Sequence, residues 1–203
     1  MLTADPMDVV VAGVGGQGNV VVSQILGLAA MARGYNVMIG ESYGASQRGG
    51  SVMSHLRLSR TDPGGPLIPE GGAQLIVGLE PTESLRMLGR YGHPEVLVLT
   101  NTRPVHSLDV LTGDASYPAL EQVIDQIKQL SRRTWTVAAT ELALELGQPI
   151  LANIVLLGAL GALDLLPFDR AGFATALAEA LPTAAVDVNL RAFDLGGERV
   201  VEV

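Results

Sequence analysis

The 203-residue chain contains no cysteine. That excludes a disulfide framework, a cysteine nucleophile and an iron–sulfur cluster held by this chain's own thiolates. Charge is scarce too: 17% of the residues are Asp, Glu, Lys or Arg, and aromatic residues make up 4%. The charge that is present is acidic and scattered, with a net of −8. A nucleic-acid binder needs a basic face, so a solvated acidic surface is expected instead. Long hydrophobic runs are missing as well. The most apolar stretch, Ile154–Leu163, is bounded by Asn153 and Asp164, and it falls far short of the ~20 residues of a membrane-spanning helix. Met1–Asp8 carries no basic segment, so no signal peptide is expected and the cytoplasm is the simplest address.

What is abundant is apolar side chain, at 48% of the residues and a mean hydropathy of +0.34. So apolar a chain has more surface to hide than one core readily takes, which points to a permanent partner, or to a homodimer when the chain is isolated. A parallel sheet buried on both faces produces apolar strands by itself, so the two origins compete. The length suits one domain over 1–203, with an α/β core over 7–138 and a helical part over 139–203.

Asp8–Ala12 is a short β-branched run that ends in glycines and reads as a buried strand. Val20–Ala32 reads as an almost wholly apolar helix, and Asn36–Gly40 as a second strand leading into a loop over 42–50. Val52–Leu58 alternates, with Val52, Ser54, Leu56 and Leu58 on one face and Met53, His55 and Arg57 on the other. Leu75–Val77 and Glu95–Leu99 are further strands, with a helix opened by Pro81 between them. Residues 101–117 show no period and read as loop. Leu120, Val123, Ile124, Ile127 and Leu130 share one face of an amphipathic helix, and Trp135–Ala138 is the last strand expected. Glu141–Leu146, Asn153–Leu163, Arg170–Leu181 and Val186–Leu195 complete the chain as helices. The alternation predicts a doubly wound, mostly parallel α/β sheet with a helical C-terminal segment.

Two glycine loops stand out. Gly13-Val-Gly15-Gly16-Gln17-Gly18 has the G-x-G-x-x-G spacing between a strand and a helix, with Glu41 at the distance where an acid can grip a ribose. A dinucleotide site is one reading. A structural turn, or a site for another anion, is the other, because tight turns of this kind recur in α/β folds. The second loop, Ser42-Tyr43-Gly44 to Arg48-Gly49-Gly50, can present a guanidinium and backbone N–H groups to a phosphate or carboxylate, or can simply be a turn. Both loops are expected at the carboxyl ends of adjacent strands, facing one crevice.

Taken in order, Gly13-Val-Gly-Gly-Gln-Gly18, Glu41-Ser-Tyr-Gly-Ala-Ser-Gln-Arg-Gly-Gly-Ser-Val52, Asn153–Leu160 and Asn189-Leu-Arg-Ala-Phe193 resemble the gamma domain of 2-oxoacid:ferredoxin oxidoreductases. Within that family Ser46-Gln-Arg-Gly-Gly-Ser-Val-Met-Ser-His55 looks most like the small (beta) subunit of the indolepyruvate branch. The resemblance implies a Rossmann-like gamma domain in a complex that decarboxylates a 2-oxoacid on thiamine diphosphate with Mg. Electrons then pass through iron–sulfur clusters to ferredoxin, and the acyl group goes to coenzyme A. It also implies a large alpha subunit carrying those cofactors, none of them bound by this chain, which would not turn over alone.

A Gly-Asp-Gly…Asn thiamine diphosphate motif is absent, since Gly113-Asp114 is followed by Ala115. On this reading the two loops are a subunit contact or part of a coenzyme A or substrate channel, and no residue is catalytic. The runner-up is a stand-alone NAD(P)-dependent dehydrogenase or dinucleotide-binding regulator resting on Gly13, Gly15, Gly18 and Glu41. His55 reads as structural or interfacial, and neither His93 nor His106 has partners at metal-ligand spacing. Trp135 reads as core or interface.

Overall fold

All eight residues of β1, Met7–Val14, are buried, as a β-branched run covered on both faces should be. The computed structural model describes residues 4–43, 50–106 and 108–203, with backbone alone for Tyr43, Leu108 and Asp109. From β1 the chain passes through α1 (Asn19–Met31) to β2 (Asn36–Tyr43) and β3 (Ser51–Ser59), then to β4 (Leu75–Gly78). Next come α2 (Pro81–Tyr91), β5 (Leu97–Asn101), a short α3 (Leu108–Thr112), α4 (Leu120–Leu130) and β6 (Arg133–Val137). Helices α5 (Ala139–Glu145), α6 (Ala152–Ala162), α7 (Arg170–Ala180) and α8 (Thr183–Arg199) follow, and β7 (Val201–Glu202) closes the chain.

The seven strands form one sheet in the order β2-β3-β1-β4-β5-β6-β7. β1, β4, β5 and β6 pair in parallel, whereas β3 is antiparallel to both of its neighbours and β7 to β6. Five strands therefore run one way, the mostly parallel α/β sheet that was expected. Several details differ. β2 continues to Tyr43, so Glu41 and Ser42 are strand residues and not loop. β2 and β1 are not adjacent, because β3 lies between them. The 101–117 stretch contains α3, and Trp135–Ala138 is not the last strand, because Val201 and Glu202 return to pair with Thr136 and Trp135. That return is held by Arg133, which reaches both carboxylate oxygens of Glu202 and stacks 4.5 Å over the Trp135 ring.

Helices cover both faces. On one side α2 and α4 pack over Val10, Ile76 and Val98. α2 is well delimited: Glu80 caps it, Pro81 occupies the first turn, and Gly92 ends it. On the other side α1, α5, α6, α7 and α8 build the larger cluster. α6 is buried from Asn153 to Leu160, on every side of the helix, which is why its sequence has no polar stripe. Part of the apolar composition is thus absorbed by a helix enclosed between the sheet side and α8. No helix among the described residues is long and apolar enough to cross a membrane.

A crevice at the carboxyl edge of the sheet

β1 runs directly into the glycine turn. A Cβ on Gly13 would lie 2.7 Å from Gln17 Oε1 and 2.9 Å from Leu79 Cβ, so packing alone demands glycine there. Gly18 caps α1 in the left-handed region at φ 87°, and a side chain on it would collide with the Asn153 amide. Gln17 folds back over the turn, accepting from Val14 N–H at 2.7 Å and donating to the Leu79 carbonyl at 3.0 Å. The buried Asn19 amide donates to the Val11 and Val52 carbonyls. Gly15 N–H donates to the Gly50 carbonyl at 2.8 Å, which brings the two predicted loops to one edge. They meet there because β1 and β2 point the same way, with the antiparallel β3 between them.

That intervening strand removes the ribose acid of the dinucleotide reading. Glu41 pairs with Ser54, and Ser54 with Val11, so Glu41 stands level with mid-β1 and two interstrand spacings away, about 9–10 Å. A dinucleotide fold places that acid on the strand next to the glycine turn. Together with the Gln17 side chain tied across the turn, the geometry speaks for a packed structural turn.

At the second junction, β4 to α2, the role of a buried acid was not anticipated. Glu80 is fully buried and accepts four hydrogen bonds. Thr82 Oγ1 (2.7 Å) and Glu83 N–H (2.8 Å) donate to one carboxylate oxygen, and Val105 N–H (3.3 Å) and the Tyr117 hydroxyl (2.6 Å) to the other. Burial, then the Glu80 carboxylate, pushes the Tyr117 phenol far above its usual pKa. Asn101, also buried, links the Leu79 carbonyl, Thr140 Oγ1 and Ala139 N–H, joining the ends of β4, β5 and β6.

Two clefts open above these junctions and share Val105 as a wall. One, of about 420 Å³, lies between Gly16, Gln17 and Leu79 on one side and Arg103, Thr140 and Ile150 on the other. It sits at the carboxyl ends of β1, β4, β5 and β6, where the chain changes direction across the sheet and open α/β folds place ligands. Arg103 there pairs with Glu141 at 3.1 Å. The other, of about 350 Å³, is more polar and includes Ser51, Glu83, Arg86 and Tyr117. Ser51 donates its hydroxyl to Glu83, which also pairs with Arg86 at 3.3 Å.

Of the predicted residues, Gly13, Gly15, Gly16, Gln17, Gly18 and Gly50 gather at this edge, and Gly16 and Gln17 line the larger cleft. Glu41 and Ser42 lie on the sheet's outermost strand. Gly44, Arg48 and Gly49, with the Tyr43 side chain, lie outside the described residues. His55 is structural: it is buried, its Nδ1 accepts from Ile68 N–H at 3.2 Å, and its ring meets Tyr91 edge-on. Burial lowers its pKa below the usual value, assisted by Arg90. Glu80 and Asn101 escaped sequence reasoning, although Glu80-Pro81-Thr82-Glu83 after a strand is legible as a helix start. Among the described residues no group of three His, Asp or Glu side chains could hold a metal ion.

The family model described as pyruvate ferredoxin/flavodoxin oxidoreductase matches residues 8–199. The chain is 37% identical to the indolepyruvate oxidoreductase subunit IorB of Archaeoglobus fulgidus over 96% of both chains. It is 38% identical to that of Pyrococcus horikoshii over 97% of this chain and 96% of the relative. Its fold superposes on the pyruvate oxidoreductase subunit PORC of Thermotoga maritima with a TM-score of 0.72 at 21% identity, covering 98% of this chain and 99% of the other. The 2-oxoglutarate:ferredoxin oxidoreductase of Magnetococcus marinus shares the fold with a TM-score of 0.71 at 17% identity. There the match covers 96% of this chain and 31% of the longer one.

Proposed function

This chain belongs to the pyruvate ferredoxin/flavodoxin oxidoreductase family, and we propose that it is the small subunit of a 2-oxoacid:ferredoxin oxidoreductase acting on indolepyruvate or a related aryl pyruvate. The observation that carries this reading is end-to-end identity of 37% with an indolepyruvate oxidoreductase subunit, covering 96% of each chain. The reaction oxidatively decarboxylates the 2-oxoacid to an acyl-coenzyme A and passes the electrons to ferredoxin.

In this proposal the redox and thiamine cofactors lie outside this chain. It has no thiolate for a cluster, and no three-membered set of metal-binding side chains among the described residues. Thiamine diphosphate, Mg and the iron–sulfur clusters therefore belong to a large alpha subunit in this proposal, and no chemical step is assigned to this chain. Its contribution is a rigid carboxyl edge. Gln17, Asn19, Glu80 and Asn101 lock the ends of β1, β4, β5 and β6 together, so a partner or a substrate channel meets a preorganised surface. The glycine turn (Gly13–Gly18) and the 41–50 segment with Arg48 form that contact, or one wall of the coenzyme A or substrate channel.

Co-purification with the large subunit, followed by assay, tests the proposal. Aryl-pyruvate- and coenzyme A-dependent dye reduction by the complex, with none from this chain alone, is the expected result. Arg48→Ala should then weaken coenzyme A dependence or assembly, and an unchanged complex would remove Arg48 from the contact. The dinucleotide alternative is tested by melting the isolated chain with NAD(H) or NADP(H). A binder would gain about 2.7 kcal/mol at a hundredfold excess of ligand over its dissociation constant, and no gain is expected.

A further inference from the structure

Away from the crevice, β2 ends the sheet, and among the described strands it pairs only with β3. It is eight residues long, Asn36–Tyr43, with one charged residue, Glu41, and neither Lys nor Pro. Edge strands of monomeric proteins are ordinarily short, or blocked by lysine, proline or a bulge. This one has none of those among its described residues. Beside it runs an apolar groove of about 430 Å³ lined by Gly27, Leu28 and Met31 of α1, Val37 and Ile39 of β2, and Ala180 of α7. Gly27 lets α1 sit low over the strand, since a Cβ there would be 3.2 Å from Ile39 Cδ1. Met31 is 52% exposed at the lip of the groove, and Met38 is 36% exposed on the other face of the strand.

We propose that the β2 edge and the groove beside it are a docking surface for a second copy of this chain, joined through antiparallel β2–β2′ pairing about a two-fold axis at Met38. The argument is self-complementarity. A two-fold axis perpendicular to a sheet keeps each face on its own side, so paired residues must share a face, and the axis must pass midway between a residue and its own copy. Centred on Met38, Val37 faces Ile39 of the second copy on the groove side, twice, and Met38 faces itself. Centred on Ile39, Val37 would face Glu41 instead. Centred on Gly40, Ile39 would face Glu41 and Met38 would face Ser42. Only the Met38 register opposes apolar to apolar throughout the middle of the strand, and it sets the exposed Asn36 opposite Gly40. It also aligns the two grooves side by side on one face of a continuous fourteen-stranded sheet. The exposed lips of the two α1 helices are then covered by each other.

The cysteine-free sequence makes the register directly measurable. Directly opposed residues in an antiparallel pair have Cα atoms about 4.5–5.5 Å apart, inside the range a disulfide spans. Met38→Cys in the full-length chain should cross-link to a covalent dimer under mild oxidation at micromolar concentration. Val201→Cys, a more accessible position (57% exposed) at the opposite edge of the sheet, should remain largely uncross-linked. Sedimentation should show the wild-type chain as a dimer, and Met38→Lys, which opposes two like charges on the axis, should weaken that dimer at least tenfold. A wild-type chain that stays monomeric at 100 micromolar, as it would if the edge were reserved for a strand of another subunit, overturns the proposal. So does a dimer indifferent to Met38→Lys, or a Met38→Cys that cross-links no faster than the control. None of these readouts depends on catalytic activity, so their failure is distinct from failure of the functional reading.

Discussion

The two faces of the sheet are built differently. One carries α1 and α5–α8 over the larger apolar cluster, in which the ring of Phe173 lies 5.0 Å from that of Phe168 and 4.9 Å from that of Phe193. Its helices come so close that Gly158 of α6 lies against the Phe193 carbonyl of α8, and Gly196 against the Val155 carbonyl. The other face carries α2 and α4 and has a smaller apolar cluster with buried polar groups set into it: His55, Glu80, and Asp8 paired with Arg57 at 2.7 Å. Among the described residues the first face buries only neutral polar side chains, such as Asn19, Asn153 and Asn189, whereas the second buries charged ones. The difference shows that part of the high apolar content is taken up within the chain, in a helix enclosed on all sides.

The sharpest way to break the apolar face is Phe173→Ala, which removes a ring contacting two others. It should cost about 3–5 kcal/mol in chemical denaturation. Gly158→Ala should follow at about 2–3 kcal/mol, because the added methyl meets backbone that can yield only if α6 and α8 separate. On the polar face Glu80→Ala should cost about 1–3 kcal/mol, through the lost cap of α2 and the stranded Val105 N–H and Tyr117 hydroxyl.

pH should separate the two faces further. His55 has a folded pKa lowered below its usual 6.5 by burial, so the unfolded chain binds a proton that the folded chain refuses. Its contribution is complete above about pH 6.5 and is lost as the pH falls from there toward the folded pKa, at no more than about 1.4 kcal/mol per pH unit. His55→Asn keeps an acceptor for Ile68 N–H and should flatten that slope when stability is measured between pH 7 and 5. Phe173→Ala should lower stability equally across the same range. The smallest effect is expected of Gly89→Ala, an exposed helical glycine of α2 whose Cβ would meet nothing within 4 Å. It should stabilise by about 0.5–1 kcal/mol, opposite in sign to Gly158→Ala.

Much of this architecture is legible in the residues. The β-branched runs mark β1, β4 and β5 because buried parallel strands need no polar side, and the amphipathic period marks α4. Gly13 and Gly18 were found by their spacing, and both do occupy the turn from β1 to α1. The reason they are glycines was not legible. It lies in Gln17, Leu79 and Asn153, the last two far along the chain, whose side chains fill the space a Cβ would take. Glu80 was missed for a related reason: a lone acid before Pro81 reads as a cap, and nothing nearby announces that Val105 and Tyr117 will bond to the same carboxylate.

By itself, the sequence determined the class of fold, the placing of most elements, the absence of thiolate chemistry and the family to which the chain belongs. Each of these rests on local pattern, composition or the order of motifs. Only the tertiary structure decided that β3 would slip between β2 and β1, that Glu41 would stand too far from the glycine turn to serve a ribose, and that Val201 and Glu202 would return to the sheet. Strand order is set by long-range pairing and by which faces the helices can cover. A residue's neighbours in sequence therefore say how it will fold locally, while its neighbours across the sheet decide what it can do.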